Sequence, residues 1–393
     1  MQAIKKKKMI IPDYNPSEQE TVGTYRVYPA FQAMFKAFGF PVSDTEPRFN
    51  RPITPKENMK LLFLGQTPFW IPEDSPMMVT ADTLGFFPRQ TPDNFATRLV
   101  LDGGEEPCVF PGLTQKSAWF DLNWQFVPAA GGATVAPGAP KVPDMAEWER
   151  YVSIPNLDDM DWDGMEAMNK QYFSDGKFNI LNVLNGPWER LMSLMNVSEA
   201  AMALIDADQY DGIHRFFDAY CIFFDDYITR VAGRCSIDGV LMHDDWGHQN
   251  SAFFSPATAK EMLLPYLKRI VASCHKNGLI YEQHSCGRNE AFIEMYAEAG
   301  VDLYCPQNIN DFDYMLEKCK DSQLVLACPT PMLPPDASPE QVYAAAQAWF
   351  DHYGKYRVMA GAMFPNSLFY AALYEISRKA YAEQACASRS KEQ

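Results

Sequence analysis

From residue 178 to the C-terminus the chain alternates short apolar runs with longer amphipathic ones, six of each. "KFNILNVL", "DGVLMHDD", "LIYEQH", "VDLYCPQ", "QLVLAC" and "YRVMAGA" read as strands, and a stretch with helical spacing follows each. The clearest helix is "SPATAKEMLLPYLKRIVASCHKNG", with Ser255 as N-cap, Pro256 at the first helical position and Gly278 as the stop. Its Ala259, Met262, Leu263, Tyr266, Leu267, Ile270 and Cys274 form one apolar stripe, and Pro265 inside it should kink the helix. Strand-helix alternation sustained this long demands a parallel sheet. Six strands here, with more upstream, fit a closed (β/α)8 barrel of the TIM type better than an open sheet.

The reactive residues point the same way. "HDDWGHQ", "HSCGR", "CPQNIND", "CPTP" and "GAMFPN" each follow a strand. In a barrel all C-terminal strand ends share one active-site face, whereas an open sheet binds at a single switch point. A barrel and an enzyme are therefore expected together.

The chain of 393 residues can hold such a barrel as one domain, and a composition 47% hydrophobic and 13% aromatic supplies its core. Residues 1–53 read as an N-terminal extension packing on the barrel, with "YPAFQAMFKAFGF" as an amphipathic helix, and 54–393 as the barrel itself. The stretch 85–170 reads as irregular, and "PAAGGATVAPGAPKVP" as too rich in Gly and Pro for regular structure. A net charge of -16 argues against nucleic acid, which needs a basic footprint. No apolar run reaches the ~18 residues of a membrane span, and no signal-peptide pattern follows the "KKKK" at 5–8. Nine scattered cysteines suit a reducing cytoplasm. A cytoplasmic protein is expected, with a homodimer left open.

His284 and Cys286 flank one residue at a strand end, so both can face one ion. Imidazole and thiolate are zinc ligands, and catalytic zinc keeps three protein ligands and an open position. Alternatively, Gly287 makes a tight turn and Cys286 is merely buried. Cys328 in "LVLACPTP" and Cys305 in "LYCPQ" are placed for a third ligand, or are inert core thiols. Glu282 shares a strand face with His284, one layer deeper, and can complete the shell, brace the imidazole or form an ion pair. Asp244 and Asp245 point to opposite sides, and Asp245, in phase with His243, is the one expected in the pocket. His248 and Gln249 reach substrate or cap the next segment. Gln307 and Asn308 are expected to contact substrate; Asn308 and Asp311 alternatively satisfy loop backbone. Trp246, Met363 and Phe364 wall a pocket for a flat ligand, or pack.

"GPWERLMSLM", "DGVLMHDDWGHQNSAFFSPATAKEMLLPYLKRIVASCHKNGLIYEQHSCG" and "EAGVDLYCPQNIND" resemble the uroporphyrinogen decarboxylase superfamily, and within it the corrinoid-dependent methyltransferase branch. The likeness runs from about residue 54 to 385, with "TPKENMKLLFLGQTPFWIP" similar to the family's opening helix and first strand. It implies a single (β/α)8 barrel. The decarboxylase itself uses an arginine-rich N-terminal motif, where this chain has "TYRVYPAFQAMF". The methyltransferases hold zinc by a His-x-Cys pair, matched by His284 and Cys286, and by a cysteine near the last strand, where Ala362 and Met363 stand here. Glu282, with Cys328 in reserve, is the expected substitute. The resemblance implies zinc, and a corrinoid carried by a separate corrinoid-binding protein. The methyl donor is expected to be a methoxylated aromatic compound, with Asp245 and His248 orienting it or protonating its leaving oxygen. Methyl transfer from the corrinoid to a thiol, and a metal-free barrel that decarboxylates or binds a small acid, remain the alternatives.

Overall fold

The computed structural model describes residues 10–26, 43, 45–74, 82–86, 114–116, 120–127, 132–361 and 366–392. The amphipathic stretch "YPAFQAMFKAFGF", Ala362, Met363 and Phe364 lie outside them.

Eight strands form one sheet: β1 (Glu73–Asp74), β2 (Thr83–Phe86), β3 (Phe178–Val183), β4 (Gly239–His243), β5 (Ile280–Ser285), β6 (Leu303–Pro306), β7 (Val325–Pro329) and β8 (Val358–Gly361). Their order is β1-β8-β7-β6-β5-β4-β3-β2, and every pairing is parallel. This is the expected (β/α)8 order, with β1 and β2 at the seam. Side chains join the seam: Asp82, just before β2, accepts the Glu73 amide through Oδ2 at 2.9 Å.

The barrel interior follows from strand alternation. Phe178, Ile180, Leu241, Leu303, Cys305, Val325, Ala327 and Met359 pack together inside, with Met59 and Leu62 of the helix Pro55–Phe63. That helix begins as its sequence dictates, with Thr54 and Glu57 forming a capping box and Pro55 in the first turn. The alternate residues Val240, Met242, Tyr281, Tyr304, Leu326 and Cys328 join the larger outer core under the helices.

Pro265 has a stronger effect than a kink. The segment breaks into Pro256–Met262 and Leu264–Lys276, because a proline removes one helical N–H and crowds the preceding turn. The irregular reading of 85–170 is corrected in part. Thr114–Lys116, Asn123–Val127 and Gly132–Val135 form an antiparallel sheet, the last strand lying inside the Gly- and Pro-rich stretch. Pairing to a neighbouring strand overrides local composition there. A 28-residue helix, Ala207–Arg234, covers the outside after β3. At the N-terminus, Thr21–Arg26 and Thr45–Phe49 make an antiparallel hairpin. Glu18 pairs with the fully buried Arg378 of the last helix at 2.8 Å and accepts from Tyr374 at 2.7 Å. No helix among the described residues is long and apolar enough to cross a membrane.

Candidate metal centre at the barrel mouth

β4, β5 and β6 lie side by side, with His284 in register with His243 on one side and Cys305 on the other. The two imidazoles sit with ring centroids 4.8 Å apart. His284 Nδ1 is 2.7 Å from the Cys305 carbonyl oxygen. A carbonyl only accepts, so Nδ1 carries the proton and Nε2 is the ring's acceptor nitrogen. Nε2 lies 3.5 Å from Cys286 Sγ. The Cys286 amide donates to Asp245 Oδ1 at 2.7 Å, and donor atoms of Asp245, His284 and Cys286 all lie within 4.8 Å of one another.

This set fits zinc. Ligands about 2.0–2.3 Å from a tetrahedral ion stand roughly 3.3–3.8 Å apart, which the imidazole-thiol separation matches. The backbone carbonyl behind His284 is the outer contact that metal-binding histidines use to hold their ring.

The loop that carries the site is pinned from several directions. Gly287 has φ +84, and a Cβ there would come within 2.2 Å of the Gly247 carbonyl carbon. The turns after β4 and β5 therefore touch backbone to backbone, which is why the "DDWG" and "HSCG" glycines occur together. Gln307 Oε1 accepts the Gly287 amide at 2.9 Å. Buried Asn310 donates to the carbonyls of Gly287 and Gln307, each at 2.9 Å, and accepts from the Asn289 amide at 2.8 Å. Asn289 donates to Ser285 Oγ and accepts from Tyr304. Ser285 Oγ in turn accepts the Trp246 amide at 2.9 Å.

Asp244 turns the other way, as alternation requires. Its Oδ1 accepts the Glu189 amide at 2.9 Å, at the start of the helix Pro187–Met195, and its Oδ2 accepts Trp246 Nε1 at 2.8 Å. Burial nevertheless pushes its carboxyl up to about 7 against these donors. A Cβ on Gly186 would lie 2.4 Å from Asp244 Cγ, so only glycine lets this helix end approach.

Several expected residues lie elsewhere. Cys328 sits on the outer face of β7, where burial raises its thiol well above the usual range and Cys319 and Asp313 of the neighbouring helix add to the rise. It is on the opposite side of the sheet from His284 and is no ligand to this centre. Glu282 faces inward as expected but groups with Asp74 and Cys305, one layer below. Burial, and then the Asp74 carboxyl beside it, raise its carboxyl well above the usual range. Asp245 takes the place expected of Glu282. Trp246 is 1% exposed and packs on Phe254, Phe292 and Tyr296, so it supports the loop and lines no open pocket. His248, Gln249 and Asn308 are exposed on the loops after β4 and β6, with His248 Nε2 2.9 Å from Ser251 Oγ. The sequence reading passed over Asp74, His243, Asn289 and Asn310. His243 was the one its phase with Asp245 already marked.

The fold and this donor set define an α/β barrel whose mouth gathers a carboxylate, an imidazole and a thiol. The uroporphyrinogen decarboxylase (URO-D) family pattern matches residues 130–363, more than half of the chain, and the chain belongs to that family. Among solved structures, a methyltransferase from Methanosarcina mazei shares the fold, with TM-score 0.53 at 12% identity over 84% of this chain and 99% of that one. A B12-independent methionine synthase from Shewanella sp. W3-18-1, in complex with selenomethionine, aligns with TM-score 0.38 at 9% identity over 69% of this chain and 74% of that one. The first likeness concerns the fold, and the second is too loose to carry more. No curated protein sequence matches the chain.

Proposed function

We propose that the protein is a zinc-dependent methyltransferase that passes a methyl group from a methoxylated aromatic compound to the cobalt of a separate corrinoid-binding protein. The observation that carries the reading is the convergence of Asp245, His284 and Cys286 at the C-terminal mouth of a URO-D family barrel. The fold shared with a methyltransferase supports it.

Methyl ethers resist cleavage because an alkoxide or phenoxide leaves poorly at neutral pH. Zinc held by these residues would supply a Lewis acid for the departing oxygen. With one thiolate, one carboxylate and one imidazole the set is harder than a thiolate-rich one, and so better matched to an ether oxygen than to a thiol. The chain's own residues do the rest. His284 is aimed by the Cys305 carbonyl. Asp245 accepts the Cys286 amide through Oδ1, which keeps its carboxylate beside His284 and Cys286. His248, exposed on the loop after β4, is assigned proton delivery to the leaving oxygen. Gln249 and Asn308, on exposed mouth loops, are assigned substrate contact, as are Met363 and Phe364 after β8.

Anaerobic mixing of the protein with reduced corrinoid protein and a panel of methoxylated aromatics should consume the cobalt(I) absorption and release the free phenol. His284→Ala should lower the rate about 10³-fold or more. A thiol that demethylates the methylated corrinoid protein, with no ether turned over, would reverse the direction. Metal-replete protein that contains no zinc would leave the decarboxylating or small-acid-binding barrel as the reading.

A further inference from the structure

One layer below the mouth a second set of donors converges. Asp74 ends β1, Glu282 lies on β5 and Cys305 on β6, and one ligand atom from each falls within 4.8 Å of the others. The three residues are 1%, 0% and 5% exposed. Neither Glu282 oxygen meets an N–H or hydroxyl donor among the described residues, and Asp74 is its polar neighbour. Around them the barrel is apolar: Leu241 and Leu303 flank Glu282 in register, and Val325, Ala327 and Met359 share the interior with Cys305. Among the described residues, buried Lys177 lies by Glu46, Glu73 and Asp82, buried Arg378 by Glu18, and buried Arg190 over the Phe120 ring.

A buried carboxyl held against a second carboxyl and a thiol, with no donor to either oxygen, is costly unless something positive joins them. We infer that Asp74, Glu282 and Cys305 bind a second divalent metal ion inside the barrel, separate from the one at the mouth. Two carboxylates and a thiolate form a borderline-soft set that takes zinc or cobalt(II) in preference to magnesium or calcium. Binding releases the thiol proton and any carboxyl proton to solvent. Two residues along β5 separate Glu282 from His284, so the two ions would stand about 6–7 Å apart.

Cys305 connects the two levels. Its thiol faces the deeper ion, while its carbonyl accepts from His284 Nδ1. An ion in the lower position therefore fixes the residue that aims the upper ligand. The lower position does not depend on the methyl-transfer reading.

The test is metal stoichiometry on the full chain, loaded with zinc, freed of excess and measured by elemental analysis, with circular dichroism confirming each variant's fold. Wild type should hold two zinc ions, and Cys286→Ala and the near-isosteric Glu282→Gln one each. With cobalt(II), the thiolate-to-cobalt absorption left in Cys286→Ala should vanish on adding Cys305→Ser. If wild type holds one ion that Cys286→Ala loses and Glu282→Gln keeps, the lower carboxyls share a proton and the inference fails. One ion lost in both variants would return Glu282 to the mouth and also overturn it. One ion kept in Cys286→Ala and lost in Glu282→Gln would support the lower site and remove the upper one. No ion at all would remove both.

Discussion

Two of the places where the barrel buries charge treat it differently. At the seam between β1 and β2, opposite charges meet. Arg51 Nη1 is 2.6 Å from Asp82 Oδ1, which also accepts Trp70 Nε1 at 3.1 Å. The Arg51 guanidinium lies over the Trp70 and Tyr374 rings, 4.8 and 4.6 Å from their centroids. Lys177, fully buried, rests 5.2 Å from the Tyr25 ring centroid with Glu46, Glu73 and Asp82 about it. On the interior face toward the mouth, lone pairs meet lone pairs: Asp245, His284 and Cys286 above, Asp74, Glu282 and Cys305 below. Matched opposite charges hold a fold together. Converging carboxylates, thiols and an imidazole are the arrangement on which the two proposed metal sites rest.

Three substitutions test that contrast. The largest effect belongs to Arg378→Met, which strands Glu18 in a buried site and should cost about 3–5 kcal/mol in urea unfolding. A cost below about 1 kcal/mol would mean the ion pair contributes little beyond the packing of its stem. Lys177 comes next. Burial lowers its pKa from 10.5 to about 8, so between those values the unfolded chain keeps a proton that the folded chain has released. Stability from this group therefore rises with pH through that window, by roughly 3 kcal/mol in all, and is at its lowest below about pH 8. Lys177→Met should flatten the slope by one proton; an unchanged slope would show that the surrounding carboxylates hold the charge as well as water does. The smallest effect is expected at the mouth. Cys286→Ala in metal-free protein should change stability by less than about 1 kcal/mol while zinc binding is lost. A larger loss of stability would make the thiol part of the scaffold and blur the contrast.

Much of this was readable in the residues. The strands from β3 to β8 announced themselves by apolar runs between capped helices, and Ser255, Pro256 and Pro265 did locally what their chemistry requires. Period-two alternation put Glu282 with His284 and separated Asp244 from Asp245. The same rule relates residues within a strand but does not say which of two buried faces turns inward, on β7 as on β5. Cys328, kept in reserve as a ligand or read as an inert core thiol, lies on the outer face. The strand Gly132–Val135 was hidden for another reason: its partner, not its Gly-rich composition, makes it a strand.

By itself, then, the sequence determined the barrel, the face that carries its chemistry and the His284–Cys286 pair, because these depend on spacing within single elements. Which carboxylate joins that pair was decided only in three dimensions. Asp245 reaches it because the β4 and β5 turns press together at Gly247 and Gly287, and Glu282 meets Asp74 across the barrel interior from β1, which pairs with β8. Contacts between strands far apart in the chain depend on register and stagger, and no local pattern of residues encodes those.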